Sequence, residues 1–138
     1  MDPESGLDAV ANVGVTGGKI EAITEAPMRG ELTVDAAGLV VAPGFIDMHS
    51  HGQDAENYLI QAQDGVTTAL ELELGASDVD RWYDQREGKS PVNFGASVGH
   101  IPVRMEVIPD PGNMVPVADA ANRAATEDEV ARIMETID

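Results

Sequence analysis

The sequence predicts an α/β fold: a small all-β lead-in followed by three strand–helix units. Three observations carry this. In residues 1–42 short apolar runs are separated by Gly- and Pro-containing turns. After Gly44 the apolar runs alternate with stretches of helical pattern. Strand–helix alternation of this kind builds a parallel sheet through crossover connections.

The lead-in opens on Val13-Gly14-Val15-Thr16, then Gly17-Gly18, then Lys19-Ile20-Glu21-Ala22-Ile23. Two alternating runs around Gly-Gly predict a hairpin. Pro27 to Gly30 reads as a turn, Leu32-Thr33-Val34 as a short strand and Asp35 to Gly38 as a turn. Leu39-Val40-Val41 is a third apolar run, stopped by Pro43-Gly44. The domain boundary is therefore expected between 1–42 and 43–138.

Beyond it, Phe45 to His49 is a strand candidate. Asp54 to Gln63 is helical in pattern, with Tyr58, Leu59 and Ala62 on one stripe, and Asp64-Gly65 closes it. Val66 to Leu74 predicts the second strand. Ser77-Asp78-Val79-Asp80 has the form of a capping box opening a helix through Trp82 and Tyr83 to Gly88. Val92 to Val98 is the third strand. A loop-like stretch with Pro102, Pro109, Pro111 and Pro116 follows. Thr126 to Glu129 is a second capping box. Val130, Ile133, Met134 and Ile137 then recur at helical spacing, which predicts an amphipathic helix.

With 25 Asp+Glu against 8 Lys+Arg, the formal charge is −17, which argues against nucleic acid or an anionic membrane as partner. The absence of Cys excludes disulfides and thiolate ligands. No run approaches the ~18 apolar residues of a membrane span. The start, Met1 to Gly6, has neither a basic segment nor an apolar one, so a cytoplasmic location is expected. No GxGxxG, P-loop or GxSxG pattern is present.

His49-Ser50-His51 is the central chemical feature. On a strand, residues i and i+2 share a face with Cα atoms ~6.6 Å apart, so both imidazoles reach one metal ion. Imidazole is the commonest nitrogen ligand for Zn²⁺ and similar ions. Taken alone, the pair also reads as two surface histidines. In the second strand, Thr67, Ala69, Glu71 and Glu73 share one face; Thr68, Leu70, Leu72 and Leu74 share the other. The Leu face suits a helix layer, which turns both carboxylates inward, where they need a cation or hydrogen bonds. Glu73, nearer the strand's C-terminal end, is the preferred ligand, and Glu71 the second; a core ion pair with Lys or Arg is the rival. Asp47 shares the face of the histidines, one step deeper, and is expected either to accept an imidazole N–H from behind the metal or to fix a turn. His100 ends the third strand, in reach of substrate or as a satisfied core histidine. Arg104 reads as a partner for a substrate carboxylate or as a surface ion pair. Trp82 and Tyr83 read as packing residues.

The stretch Val40-Val41-Ala42-Pro43-Gly44-Phe45-Ile46-Asp47-Met48-His49-Ser50-His51 resembles the opening of the amidohydrolase superfamily, where an apolar first barrel strand ends in HxH after a PGxID segment. Gly17 to Ile23, Asp35 to Gly38 and Asp64-Gly65-Val66-Thr67-Thr68 also resemble it, so the likeness covers nearly the whole chain. Gly99-His100 followed by Arg104 resembles a GHxxxR segment of the D-aminoacylase and N-acyl-D-glutamate deacylase branch. The resemblance implies the first three βα units of a (β/α)8 TIM barrel, preceded by part of a small β-sandwich. It implies His49 and His51 as ligands of a divalent metal, expected as Zn²⁺, one ion or two, that activates water for amide hydrolysis. The implied partner is a small-molecule substrate, an N-acyl-D-amino acid; dihydroorotase- or hydantoinase-like cyclic amides are the alternative. That branch places a Cys ligand near the end of its second strand. This chain has none, so Glu73 or Glu71 is expected in its stead. The Asp that the superfamily uses on its eighth strand, its histidines on strands five and six and its Lys or Glu on strand four have no counterpart in these 138 residues. The chain alone is therefore expected to be an inactive N-terminal fragment, with exposed apolar faces that favour a homo-oligomer. A short protein that binds metal or a partner without catalysis is the competing class.

Overall fold

Gly17 and Gly18 sit at φ +58° and +75°, and two successive residues at positive φ make the tight turn that matches strand twist. They join β1 (Asn12–Thr16) to β2 (Lys19–Thr24) in an antiparallel pair with Thr16 opposite Lys19. A register shift falls between Gly14 and Val15. A side chain at Gly14 would collide with that of Met28, which lies across the hairpin. The structure is a computed structural model describing residues 1–138, which form two units, Met1–Pro43 and Gly44–Asp138.

The first unit differs from the sequence reading. Leu32–Val34 and Leu39–Val41 are not strands; the backbone bond in this region is a turn, Leu39 N–H to Ala36 O (3.0 Å). An apolar run becomes a strand only when a ladder partner satisfies its backbone, and the two-stranded sheet β1–β2 offers these segments none. Within this unit the sheet is the single β1–β2 hairpin.

The second unit is α/β. It runs β3 (Phe45–Asp47), α1 (Ala55–Gln63), β4 (Val66–Ala76), α2 (Val79–Asp84), β5 (Asn93–Val98), α3 (His100–Val107), α4 (Asp119–Asn122) and α5 (Glu127–Ile137). The strands form one parallel sheet in the order β3-β4-β5, with Asp47 beside Ala69 and Ala69 beside Phe94.

The caps explain most boundaries. Asp54 accepts from the backbone N–H groups of Glu56 and Asn57 and starts α1. Asp78, not Ser77, caps α2, accepting from Arg81 N–H, and with Arg81 at the third helical position the expected Ser77–Asp80 box does not form. Thr126 and Glu129 form a complete capping box on α5. The stretch read as a Pro-rich loop begins with a helix instead. Pro102 is the third residue of α3, where a backbone N–H has no intrahelical acceptor, so the ring costs no hydrogen bond.

Two cores result. Tyr58, Ala69 and Val92 pack together with Val66 and Phe94; Val103, Val107, Ile108, Ala120 and Ile133 form the other. Ala69 is small enough to admit the Tyr58 ring, so α1 meets β4 there, and Leu72 is left 46% exposed rather than covered by helices as expected. On α1 the expected stripe is also redrawn: Leu59 is 55% exposed and Ala62 exposed, while Asn57, Tyr58 and Gln61 turn inward. On α5 only Ile133 is buried; Val130, Met134 and Ile137 stay exposed.

Candidate metal centre

β3 ends at Asp47, two residues short of the expected His49, so the two histidines lie just past the strand. Two links still hold them beside β4: a bridge between His49 and Glu71, and Ser50 N–H donating to Leu70 O (3.0 Å). Gly52 at φ +63° then turns the chain toward the Asp54 cap.

The histidine rings converge. His49 Nε2 lies 2.9 Å from His51 Nε2. Glu73 Oε2 stands 3.4 Å from His51 Nε2 and 3.7 Å from His49 Nε2. These three ligand atoms all lie within 4.8 Å of one another.

Glu71 has a different place. It is 7% exposed, and its Oε2 is 2.8 Å from His51 Nδ1. Its Oε1 accepts from Leu74 N–H (3.3 Å) and Gly75 N–H (3.4 Å). A carboxylate only accepts, so the proton of a neutral His51 belongs on Nδ1 and its Nε2 carries a bare lone pair. That lone pair faces His49 Nε2. The hydrogen bond with Glu71 also raises the His51 pKa above the ordinary imidazole value; partial desolvation opposes this, and the charges of Glu71, Glu73 and Asp47 add to it.

Two imidazole nitrogens and a carboxylate oxygen converging on one point are a donor set suited to Zn²⁺ or a similar divalent ion. The Glu71 carboxylate behind His51 is the outer partner that commonly fixes the tautomer of a metal-binding histidine. The residues present therefore fit the metal.

Asp47 does not reach a ring: its Oδ1 accepts from His49 backbone N–H (3.0 Å) and fixes the turn out of β3. His100 is not at a strand end but is the exposed first residue of α3, outside the His49–His51–Glu73 group. Arg104 donates to the carbonyls of Ala120 (2.7 Å) and Arg123 (2.6 Å), which ties α3 to the segment around α4. The support behind the histidines was not read from the sequence. Ser50, Gln53 and Gln61 are polar residues turned inward, and their signal was a glutamine just before the helix, another in its last turn and a Tyr between them.

A family model described as "Amidohydrolase family" matches residues 32–131, most of the chain and all of this site. The chain belongs to the amidohydrolase family. Within it, this amidohydrolase is similar to a D-aminoacylase of Alcaligenes xylosoxydans xylosoxydans, 33% identical over 155 aligned residues, covering 88% of this chain and 29% of the relative. An allantoinase of Enterococcus faecalis is 34% identical over 117 residues, 71% of this chain and 26% of the relative. A dihydroorotase of Streptococcus pneumoniae serotype 4 is 56% identical over 52 residues, 37% of this chain and 12% of the relative. The amidohydrolase chain thus spans less than a third of the length of these curated relatives. No solved structure gives a significant match. No helix of the chain is long and apolar enough to cross a membrane.

Proposed function

We propose that the intact protein is a metal-dependent hydrolase of C–N amide bonds, and that residues 43–138 are the first three βα units of its barrel. In this reading residues 1–42 are part of a small β-sandwich whose remaining strands are supplied elsewhere in the protein. The single observation that carries the proposal is the convergence of His49, His51 and Glu73 beside the ends of parallel strands. His49 Nε2, His51 Nε2 and Glu73 Oε2 would hold a divalent cation, Zn²⁺ by preference, with a second ion accommodated by residues outside this chain. Once bound, such an ion acidifies water toward neutral pH and polarises a carbonyl.

The chain's own residues have distinct tasks. Glu71 holds the His51 Nδ1 proton and keeps Nε2 free as a donor atom. Glu73, with a side chain 57% exposed, reaches the same point from β4. Asp47 orients the His49 backbone. His100 and Arg104 are proposed to contribute on the substrate side, the latter by anchoring the segment after α3. The general base is proposed to lie outside these residues, so the 138-residue chain by itself is inactive.

The likeness to D-aminoacylase over 88% of the chain supports N-acyl-D-amino acids as the substrate class. The 56% identity to a dihydroorotase over 52 residues favours a second reading, a cyclic amidase. Cytoplasmic catalysis on a small molecule is the setting in either case. The test is metal content by plasma mass spectrometry and hydrolysis of N-acyl-D-glutamate, dihydroorotate and allantoin by the product of the complete reading frame. We expect stoichiometric metal that a His49→Ala/His51→Ala variant loses, with turnover of one substrate class. Full metal retention in the double variant would remove these histidines from the site.

A further inference from the structure

The histidine pair sits where strand geometry no longer positions it. β3 stops at Asp47, and the ladder that would fix the spacing of His49 and His51 is reduced to one bridge and one bond. Yet their Nε2 atoms are held 2.9 Å apart. Something else must hold the backbone between them.

That backbone belongs to Ser50, which is 2% exposed. Its carbonyl accepts from Gln53 Nε2 (3.0 Å), and its Oγ accepts from Gln61 Nε2 (2.7 Å). Gln53 is itself buried, and its Oε1 accepts from Tyr58 O–H (2.7 Å). The Gln53 carbonyl accepts from Arg86 Nε (2.8 Å). Arg86 in turn donates to Trp82 O (2.9 Å) and lies over the Trp82 ring, 4.1 Å from its centroid. Ser50 is thereby tied to α1 through Tyr58 and Gln61, and to α2 through Arg86. Burying polar groups is costly unless they are paired, and along this chain Ser50, Gln53 and Tyr58 are paired, while Gln61 Oε1 is buried without a partner. An apolar filling would serve packing alone; a hydrogen-bonded chain also fixes orientation.

We propose that the buried chain Ser50–Gln53–Tyr58 is a positioning device that sets the divalent-cation affinity of the His49–His51 pair. The inference rests on the metal-site reading above. None of these three residues contacts the cation; they act through the Ser50 backbone, whose torsions set the distance and angle between the two rings. With Gln53 truncated, the Ser50 carbonyl loses its donor and the Tyr58 hydroxyl its acceptor. The histidines then separate while Glu71 and Glu73 remain in place.

The test is Co²⁺ titration of the product of the complete reading frame, followed by its visible absorption. It is paired with urea unfolding of the metal-free protein and ring ¹⁵N shifts of His49 and His51. Gln53→Met is expected to weaken Co²⁺ binding about tenfold or more, the range typical of outer-sphere partners. Tyr58→Phe keeps the buried ring and removes only the hydroxyl; it should weaken binding by a smaller factor in the same direction and decides the matter if Gln53→Met does not fold. Both should move the ring ¹⁵N shifts in metal-free protein. Ile133→Val, in the other core, should lower the unfolding midpoint and leave the Co²⁺ affinity alone. Affinity equal to wild type in Tyr58→Phe and in folded Gln53→Met would overturn the positioning role and leave the site standing. A wild-type product of the complete reading frame that binds no Co²⁺ would overturn both.

Discussion

Glu71 and Glu73 are two residues apart on β4, yet their surroundings separate their chemistry. Glu73 is open and points at both Nε2 atoms; Glu71 is buried and grips Nδ1 of His51. The Glu71 carboxylate raises the His51 pKa, so the sign of its pH effect is fixed. The pairing contributes stability to the metal-free fold that is fully present below the ordinary imidazole value of 6.5 and is lost as pH rises through the higher folded value. Metal binding has the opposite trend, because a proton on Nε2 competes with the cation. Glu71→Gln should therefore bring the His51 titration, followed by NMR, back down toward its ordinary value. It should also weaken Zn²⁺ binding by about tenfold, as lost outer-sphere partners do. An unmoved His51 titration would mean that Glu71 is not its partner in solution.

At the scale of elements, α5 shows what local sequence can dictate. Thr126 accepts from Glu129 N–H, and the Glu129 side chain returns to Thr126 N–H (2.8 Å) and to Arg123 (2.7 and 2.8 Å). Thr126→Ala should lower unfolding stability by about 1 kcal/mol in urea titrations, the usual effect of losing an N-cap. The hydrogen bond from Arg123, helped by Thr126 N–H, holds the Glu129 carboxyl down at about 2. A depressed carboxyl stabilises the fold above its unfolded value of 4.5 and loses that contribution as pH falls from 4.5 toward 2. Acid unfolding of wild type should thus be steeper across that window than that of Glu129→Gln; parallel curves would refute the role of the pair. This box, the Gly17-Gly18 hairpin and the strand–helix order were legible because each is encoded within a few residues. The HxH spacing was legible for the same reason. What was not legible depends on distant partners. Leu32–Val34 and Leu39–Val41 have strand composition but no ladder. α3 was hidden because Pro102 and its neighbours read as loop, although a proline in a first turn is compatible with helix. The support behind Ser50 joins residues from two helices, with Arg86 reaching Gln53 across 33 positions, and no local pattern announces such a contact.

Across the whole molecule the dominant quantity is charge. A net −17 on 138 residues means that the folded chain repels itself, and its carboxylates must be held apart, bonded or screened. Some are bonded: Asp110 takes backbone N–H groups from Gly112, Val117, Ala118 and Ala120. Burial pushes its carboxyl up, but the donors, Val117 foremost, outweigh this and keep it below the ordinary range. Few cations are available for the others: Arg123 is committed to Asp119 and Glu129, Arg104 to carbonyls, and Arg86 to Gln53 and Trp82. Glu71 and Glu73 stand close together with two imidazoles as their partners, which concentrates negative charge where a divalent cation would relieve it. Two responses follow that differ in kind. Salt acts on the whole surface: from 0.01 M to 1 M the screening length falls from about 30 Å to about 3 Å, so NaCl should raise the melting temperature progressively. A divalent cation acts at one site and should raise it further at micromolar concentration, with saturation, by binding only the folded state. In the His49→Ala/His51→Ala variant the NaCl response should persist and the saturable Zn²⁺ response should vanish. If micromolar Zn²⁺ stabilised that variant as well as wild type, its effect would be general neutralisation of an acidic surface, and the histidine pair would not be its cause.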